Sequence, residues 1–123
     1  MPLRLDRDRI MQVMINLLAN AIKFCPPGSG RIHIGLERRG EGAELRVDDN
    51  GPGVAPEERE AIFEKFHQVP VPVAGRTHGT GLGLPICRRI VERHGGKIHV
   101  EESPLGGARF VVLLEPGDVH EAR

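Results

Sequence analysis

Sixteen glycines and ten prolines stand in this chain of 123 residues, and most fall in clusters: 26–30, 40–42, 51–53, 79–83, 95–96 and 104–107. Proline cannot continue a helix or a sheet ladder, and glycine weakens either, so no regular element runs through these clusters. What can fold is the set of short pieces between them. Apolar residues at 10, 13, 14, 17, 18, 21 and 22 make one helical stripe, which Asp6 or Asp8 can cap and Pro26-Pro27-Gly28 ends. Residues 31–36 alternate as a strand, the turn Gly40-Glu41-Gly42 follows, and 43–47 reads as the hairpin partner. Pro56 and two glutamates open a short helix over 56–66. Residues 69–80 have no useful period and read as a mobile loop. Residues 82–94 form a helix stopped by Gly95-Gly96, and a second hairpin, 97–101 with 108–114, turns through 104–107. Leu3 and Leu5 suggest the end of a strand, and 117–123 is a polar tail. Helices and antiparallel hairpins in this order make an α+β two-layer sandwich, with three helices on one face of a mostly antiparallel sheet. One domain, 1–116, precedes the tail, 117–123.

Composition excludes several classes of function. Hydrophobic residues at 39% and charged residues at 28% fit a folded, non-membrane domain, and no apolar run approaches the roughly 20 residues of a membrane span. Seventeen basic residues balance 17 acidic ones, and Trp and Tyr are absent. Neither a polyanion-binding surface nor a base-stacking platform is expected, so nucleic acid is not a partner. Cys25 and Cys87 lack metal-site spacing and read as free thiols of a reducing compartment.

Two features carry chemistry. On the first helix, Gln12, Asn16, Asn20 and Lys23 fall within an arc of roughly 80° at 100° per residue. Asn is a poor helix former, and a merely solvated face favours Glu and Lys, so the plain alternative of incidental surface amides is about even with a ligand surface. An amide oxygen is a neutral hard ligand for Mg²⁺, and an ammonium one turn on suits phosphate. The second feature is a pair of glycine clusters. Asp49-Asn50-Gly51-Pro52-Gly53 follows a strand; Asn-Gly alone signals only a turn, but a carboxylate at a pocket mouth can accept from an exocyclic amino group while glycines let a ring approach. Gly79-Thr80-Gly81-Leu82-Gly83-Leu84 opens a helix; it is neither a dinucleotide fingerprint nor a P-loop, yet its backbone N–H groups and the helix dipole suit an anion.

These pieces together resemble the catalytic ATP-binding domain of bacterial sensor histidine kinases, in the superfamily shared with gyrase and MutL. Residues 12–24 (QVMINLLANAIKF) resemble the N box, 49–53 (DNGPG) the first glycine box, 62–66 (IFEKF) the F box and 79–84 (GTGLGL) the second glycine box. Residues 94–116 resemble the closing strands. The resemblance implies a mixed sheet whose N-terminal strand is mostly absent here. It also implies roles: Asn20 on Mg²⁺, Asn16 and Lys23 beside the phosphates, Phe24 against adenine, Asp49 on the adenine amino group, and Gly51 and Gly53 lining its pocket. Phe63 and Phe66 would anchor a lid, 67–80; Lys65 and Arg76 are candidate phosphate contacts; Thr80, Gly81, Leu82, Gly83 and Leu84 would meet the phosphates.

ATP and Mg²⁺ are thus the expected ligands, and phosphoryl transfer to a histidine the expected reaction. None of His33, His67, His78, His94 and His99 sits in a phosphoacceptor context, and His120 lies in the polar tail. The resemblance therefore implies a fragment, inactive alone, whose partners are the parent kinase's phosphoacceptor and dimerisation domain and a response-regulator receiver domain. It implies a cytoplasmic domain without direct membrane contact and leaves open whether the parent is anchored in the inner membrane. Water-activating relatives carry Glu where this chain has Asn16, and an amide cannot be a general base, which weighs against an ATPase. A nucleotide-sensing module without transfer activity is the other alternative. Pro85 departs from the family pattern at a place, near a helix start, where Pro is tolerated.

Overall fold

The apolar stripe beginning at Ile10 is buried in α1 (Arg7–Phe24), where Val13, Leu17 and Ala21 are at most 1% exposed. The computed structural model describes residues 7–40, 42–64 and 83–114. Asp8 lies in the first turn of α1, where its charge complements the helix dipole, and Lys23 lies in the last. After α1 come β1 (Ile32–Arg39) and β2 (Gly42–Asp49), two 3₁₀ turns (Pro56–Glu58 and Ala61–Phe63), α2 (Gly83–Arg93), β3 (Lys97–Glu102) and β4 (Ala108–Leu114). The sheet order is β1-β2-β4-β3, and every pairing among the described residues is antiparallel.

The expected sandwich is present, with its helical elements on one face. Leu45 and Val47 of β2 lie opposite Val112 and Phe110 of β4, which lie opposite Ile98 and Val100 of β3. These side chains meet Val13, Leu17 and Ala21 of α1 and Cys87, Ile90 and Val91 of α2 in one core. The ring of Phe63 packs edge-on against Phe110, centroids 6.2 Å apart. α1 covers β2 and α2 covers β3, so the edge strand β1 leaves Ile34 and Leu36 exposed.

Residues 56–66 were expected as one short helix. The chain instead forms two 3₁₀ turns, the second of which drives Ile62 and Phe63 into the core. Both hairpins start and end within a few residues of expectation, and α2 ends at Arg93, one residue earlier than expected. Its Pro85 sits in the first turn, where no helical N–H is required. Gly95, at φ 76°, and Gly96 close α2 through bonds back to Glu92 and Val91. Cys25 and Cys87 are both buried and not bridged to each other. No helix among the described residues is long and apolar enough to cross a membrane. Asp6, the loop 69–80, the lid 67–80 and the tail 117–123 lie outside the described residues, as do Lys65, Phe66, Arg76, Thr80, Gly81 and Leu82.

Candidate functional site

β2 ends in two adjacent acids, and strand alternation sends them to opposite faces. Asp48 meets Arg109, its register partner on β4, whose Nε lies 2.8 Å and Nη2 3.3 Å from the carboxylate. Asp49 turns to the helix side, is 2% exposed, and meets no guanidinium among the described residues. Its Oδ1 accepts the backbone N–H of Gly51 at 2.9 Å and of Ala108 at 3.2 Å. Burial raises the Asp49 pKa above the ordinary carboxylate value; the two backbone bonds oppose that rise and the nearby charge of Asp48 adds to it. Oδ2 accepts no hydrogen bond among the described residues, and no side-chain polar atom there is both fully buried and unpartnered. With Oδ1 engaged twice, Oδ2 is the oxygen with acceptor capacity to spare.

The turn after Asp49 is built against the end of α1. A Cβ on Gly51 would lie 2.5 Å from the carbonyl oxygen of Phe24, so the bare backbone of Gly51 is needed for the chain's own packing. Gly53 takes φ +79°, a conformation that glycine adopts without strain. Asn50 fastens the same corner to the α1–β1 connection: its Oδ1 accepts the Arg31 N–H at 2.8 Å and its Nδ2 donates to the Ser29 carbonyl at 3.0 Å. The N box and the first glycine box are thereby joined at Phe24, which is half-buried, with the Lys23 ammonium 5.3 Å from its ring centroid. Partial burial lowers the pKa of that ammonium.

The polar row of α1 lies at the border of core and solvent: Gln12, Asn16, Asn20 and Lys23 are all half-buried. Asn16 reaches the start of α2, its Nδ2 donating to the Gly83 carbonyl at 3.4 Å. That contact joins the N box to the second glycine box. On the neighbouring turn of α2 the Cys87 thiol donates to the Val13 carbonyl at 3.8 Å, and burial pushes that thiol up to about 11. Asn20 makes no hydrogen bond to protein among the described residues. Gly83 is exposed with open space where a Cβ would go, whereas the Leu84 side chain packs against the core. Among the described residues no group of three or more His, Cys, Asp or Glu side chains is placed to hold a metal ion.

The family model described as histidine kinase-, DNA gyrase B- and HSP90-like ATPase matches residues 5–118. This chain belongs to that family. Within the family it is similar to sensor kinases. The sensor protein kinase PmrB of Pseudomonas aeruginosa is 52% identical over 110 residues, which is 89% of this chain and 22% of that protein. The circadian input-output histidine kinase CikA of Synechococcus elongatus is 38% identical over 119 residues, 92% of this chain and 16% of that protein. The chain thus spans less than a quarter of either relative. Among solved structures, the mycobacterial sensor histidine kinase MprB superposes with a TM-score of 0.80 at 33% identity, covering 91% of this chain and 75% of that one. Full-length ShkA in complex with AMPPNP superposes at 0.72 with 34% identity, covering 86% and 21%.

In this histidine-kinase-type domain the N box and the first glycine box account for one side of Asp49. The other side is the β3–β4 corner, which sequence reasoning read only as a hairpin turn. Gly107 donates its N–H to the Asp49 carbonyl at 3.1 Å, and Ala108 donates to the Asp49 side chain. Asn50 was read as a turn residue, and its clamp on the α1–β1 connection is likewise new. The doubled glycine at 106–107 was the available signal, but its partner is distant in sequence.

Proposed function

We propose that this domain binds Mg·ATP and gives its γ-phosphoryl group to a histidine on a separate phosphoacceptor and dimerisation domain, on the cytoplasmic side of a two-component signalling protein. The observation that carries this reading is the anchoring of Asp49 Oδ1 by two backbone amides, with Oδ2 unbonded among the described residues, beside the end of a helix that carries Asn16, Asn20 and Lys23. Oδ2 would accept from the 6-amino group of adenine; guanine presents a carbonyl at that place, which a carboxylate repels. Phe24 would flank the base, with Gly51 and Gly53 behind it. Lys23 and Asn16 would hold the phosphates, together with the backbone at Gly83 and Leu84.

Asn20 fits a metal role, because its amide has no protein partner among the described residues and its oxygen is a neutral, hard donor. When bound, Mg²⁺ neutralises phosphate charge. The contacts assigned to Lys65, Phe66, Arg76, Thr80, Gly81 and Leu82, and the lid over 67–80, rest on the order of the four boxes. In the proposed transfer the histidine nitrogen forms a bond to the γ-phosphorus while the bond to ADP breaks, and the imidazole proton leaves. This domain's own work is positioning and charge neutralisation. An aspartate of a receiver domain would take the group next.

Asn16 supplies no carboxylate to activate water, so the chain alone should release phosphate far more slowly than about 10 per second, the median enzyme rate. Added to the dimeric phosphoacceptor domain of its parent protein, it should yield an acid-labile, base-stable phosphoprotein, and Asn20→Ala should abolish both that transfer and the Mg²⁺ dependence of binding. Phosphate release near the median rate by the isolated chain would replace the kinase reading with an ATPase. Normal transfer by Asn20→Ala would refute the metal assignment.

A further inference from the structure

We propose that Gly107, at the corner between β3 and β4, is a positioning residue that sets the base preference of the site by holding Asp49 so that Oδ2 alone faces the ligand. This rests on the nucleotide reading above.

Its own hydrogen bond, that of its neighbour and the space at its Cα place Gly107 directly behind Asp49. Its N–H donates to the Asp49 carbonyl at 3.1 Å, and the next residue, Ala108, donates to Asp49 Oδ1 at 3.2 Å. A Cβ on Gly107 would overlap Asp49 Oδ1, the Asp49 carbonyl oxygen and the Gly51 nitrogen all at once. Gly107 does not have a positive φ, so its backbone conformation is open to any residue. The position therefore demands the absence of a side chain rather than the freedom of glycine. The corner itself is stiff: Gly107 accepts the Ser103 N–H at 2.8 Å, Gly106 donates to the Ser103 carbonyl at 2.9 Å, and Leu105 donates to Ser103 Oγ at 3.0 Å. Ser103 is buried at 4% exposure.

A carboxylate with one oxygen tied to two amides presents its other oxygen in one direction. An added methyl group must push the corner back or turn the carboxylate. Either movement breaks the Ala108 bond, and with it the directional acceptor that distinguishes an amino group from a carbonyl on the base. Binding of the phosphates, which falls to α1 and the start of α2, does not pass through this corner.

The test compares ADP with inosine diphosphate, which carries a carbonyl in place of the 6-amino group. Calorimetry in Mg²⁺ on the wild type should show ADP binding at least about tenfold tighter, the loss expected for one charge-assisted hydrogen bond. Gly107→Ala should bring that ratio to within about threefold of unity while keeping the Mg²⁺ dependence of binding. A purely structural role would weaken both nucleotides in proportion, and an unchanged ratio in Gly107→Ala overturns the inference while leaving the nucleotide reading intact. A wild type that binds neither nucleotide overturns both, and one that binds the two equally overturns the Asp49 contact and this inference together. Should Gly107→Ala fail to fold, Ser103→Ala loosens the same corner without adding atoms; it should lower the ratio by a smaller factor, and an unchanged ratio there is equally fatal.

Discussion

Asp49→Asn will bind Mg·ATP roughly tenfold to a hundredfold more weakly than the wild type, will lose the preference for ATP over GTP, and will melt at a higher temperature at neutral pH. The first effect follows from one charge-assisted hydrogen bond of about 1.5–3 kcal/mol. The asparagine oxygen can keep the two bonds from Gly51 and Ala108, which leaves an NH₂ facing the adenine amino group, donor against donor. The stability gain follows from the raised pKa of Asp49, whose first cause is burial. Between the ordinary carboxylate pKa and the raised one, the folded state holds the proton more tightly than the unfolded state. Stability therefore falls as pH climbs through that window and stays lower above it. Asparagine has no charge to bury, so the variant should lose this part of the pH dependence. Melting curves from acid to neutral pH beside a nucleotide titration measure both effects, and a less stable variant at neutral pH would show that the buried charge is compensated in some other way.

Gly51→Ala will be destabilised by about 1–3 kcal/mol, the usual range for forcing atoms into a packed site, and will bind nucleotide more weakly as well. Its Cβ would lie 2.5 Å from the Phe24 carbonyl oxygen, and that atom belongs to backbone, so no side chain can swing aside to make room. The end of α1 would have to move away from Asp49. Gly83→Ala is the contrast: its Cβ meets open space at the start of α2, and Ala favours a helix, so its melting temperature should hold or rise slightly. Chemical denaturation of both variants decides the point, and equal stabilities would remove the case for a tight joint between the two boxes.

Much of this fold could be read from residue pattern because single elements carry their own signal. The stripe of α1 and the apolar run of β4 mark both elements as core-forming, and both are found where expected. β1 was expected to stop at Leu36 but runs on through Glu37, Arg38 and Arg39. Charged residues hide a strand from a hydrophobic reading; here they are held across the hairpin, Glu37 by Arg46 at 2.9 Å and Glu44 by Arg39 at 2.8 Å. The site divides in the same way. Asp49 stood out beside its glycines, but that Asp48 faces Arg109 while Asp49 faces the helices depends on sheet register, which two adjacent acids do not reveal. Gly107 and Asn50 act on residues far along the chain, so their neighbours in sequence do not disclose what they hold. The segment 56–66 carried the marks of a helix start but is shaped by the need to bury Ile62 and Phe63, a tertiary demand that overrides local propensity.

Titration calorimetry of the folded chain with ADP and Mg²⁺, beside a thermal-shift series with the same ligands, tests most directly whether this domain is built around a nucleotide. Saturable binding at a single site, between micromolar and millimolar, is the expected result, with a melting temperature that climbs with nucleotide concentration. No heat and no thermal shift at millimolar nucleotide would contradict the assignment of Asp49, Asn20 and the row on α1 to ATP.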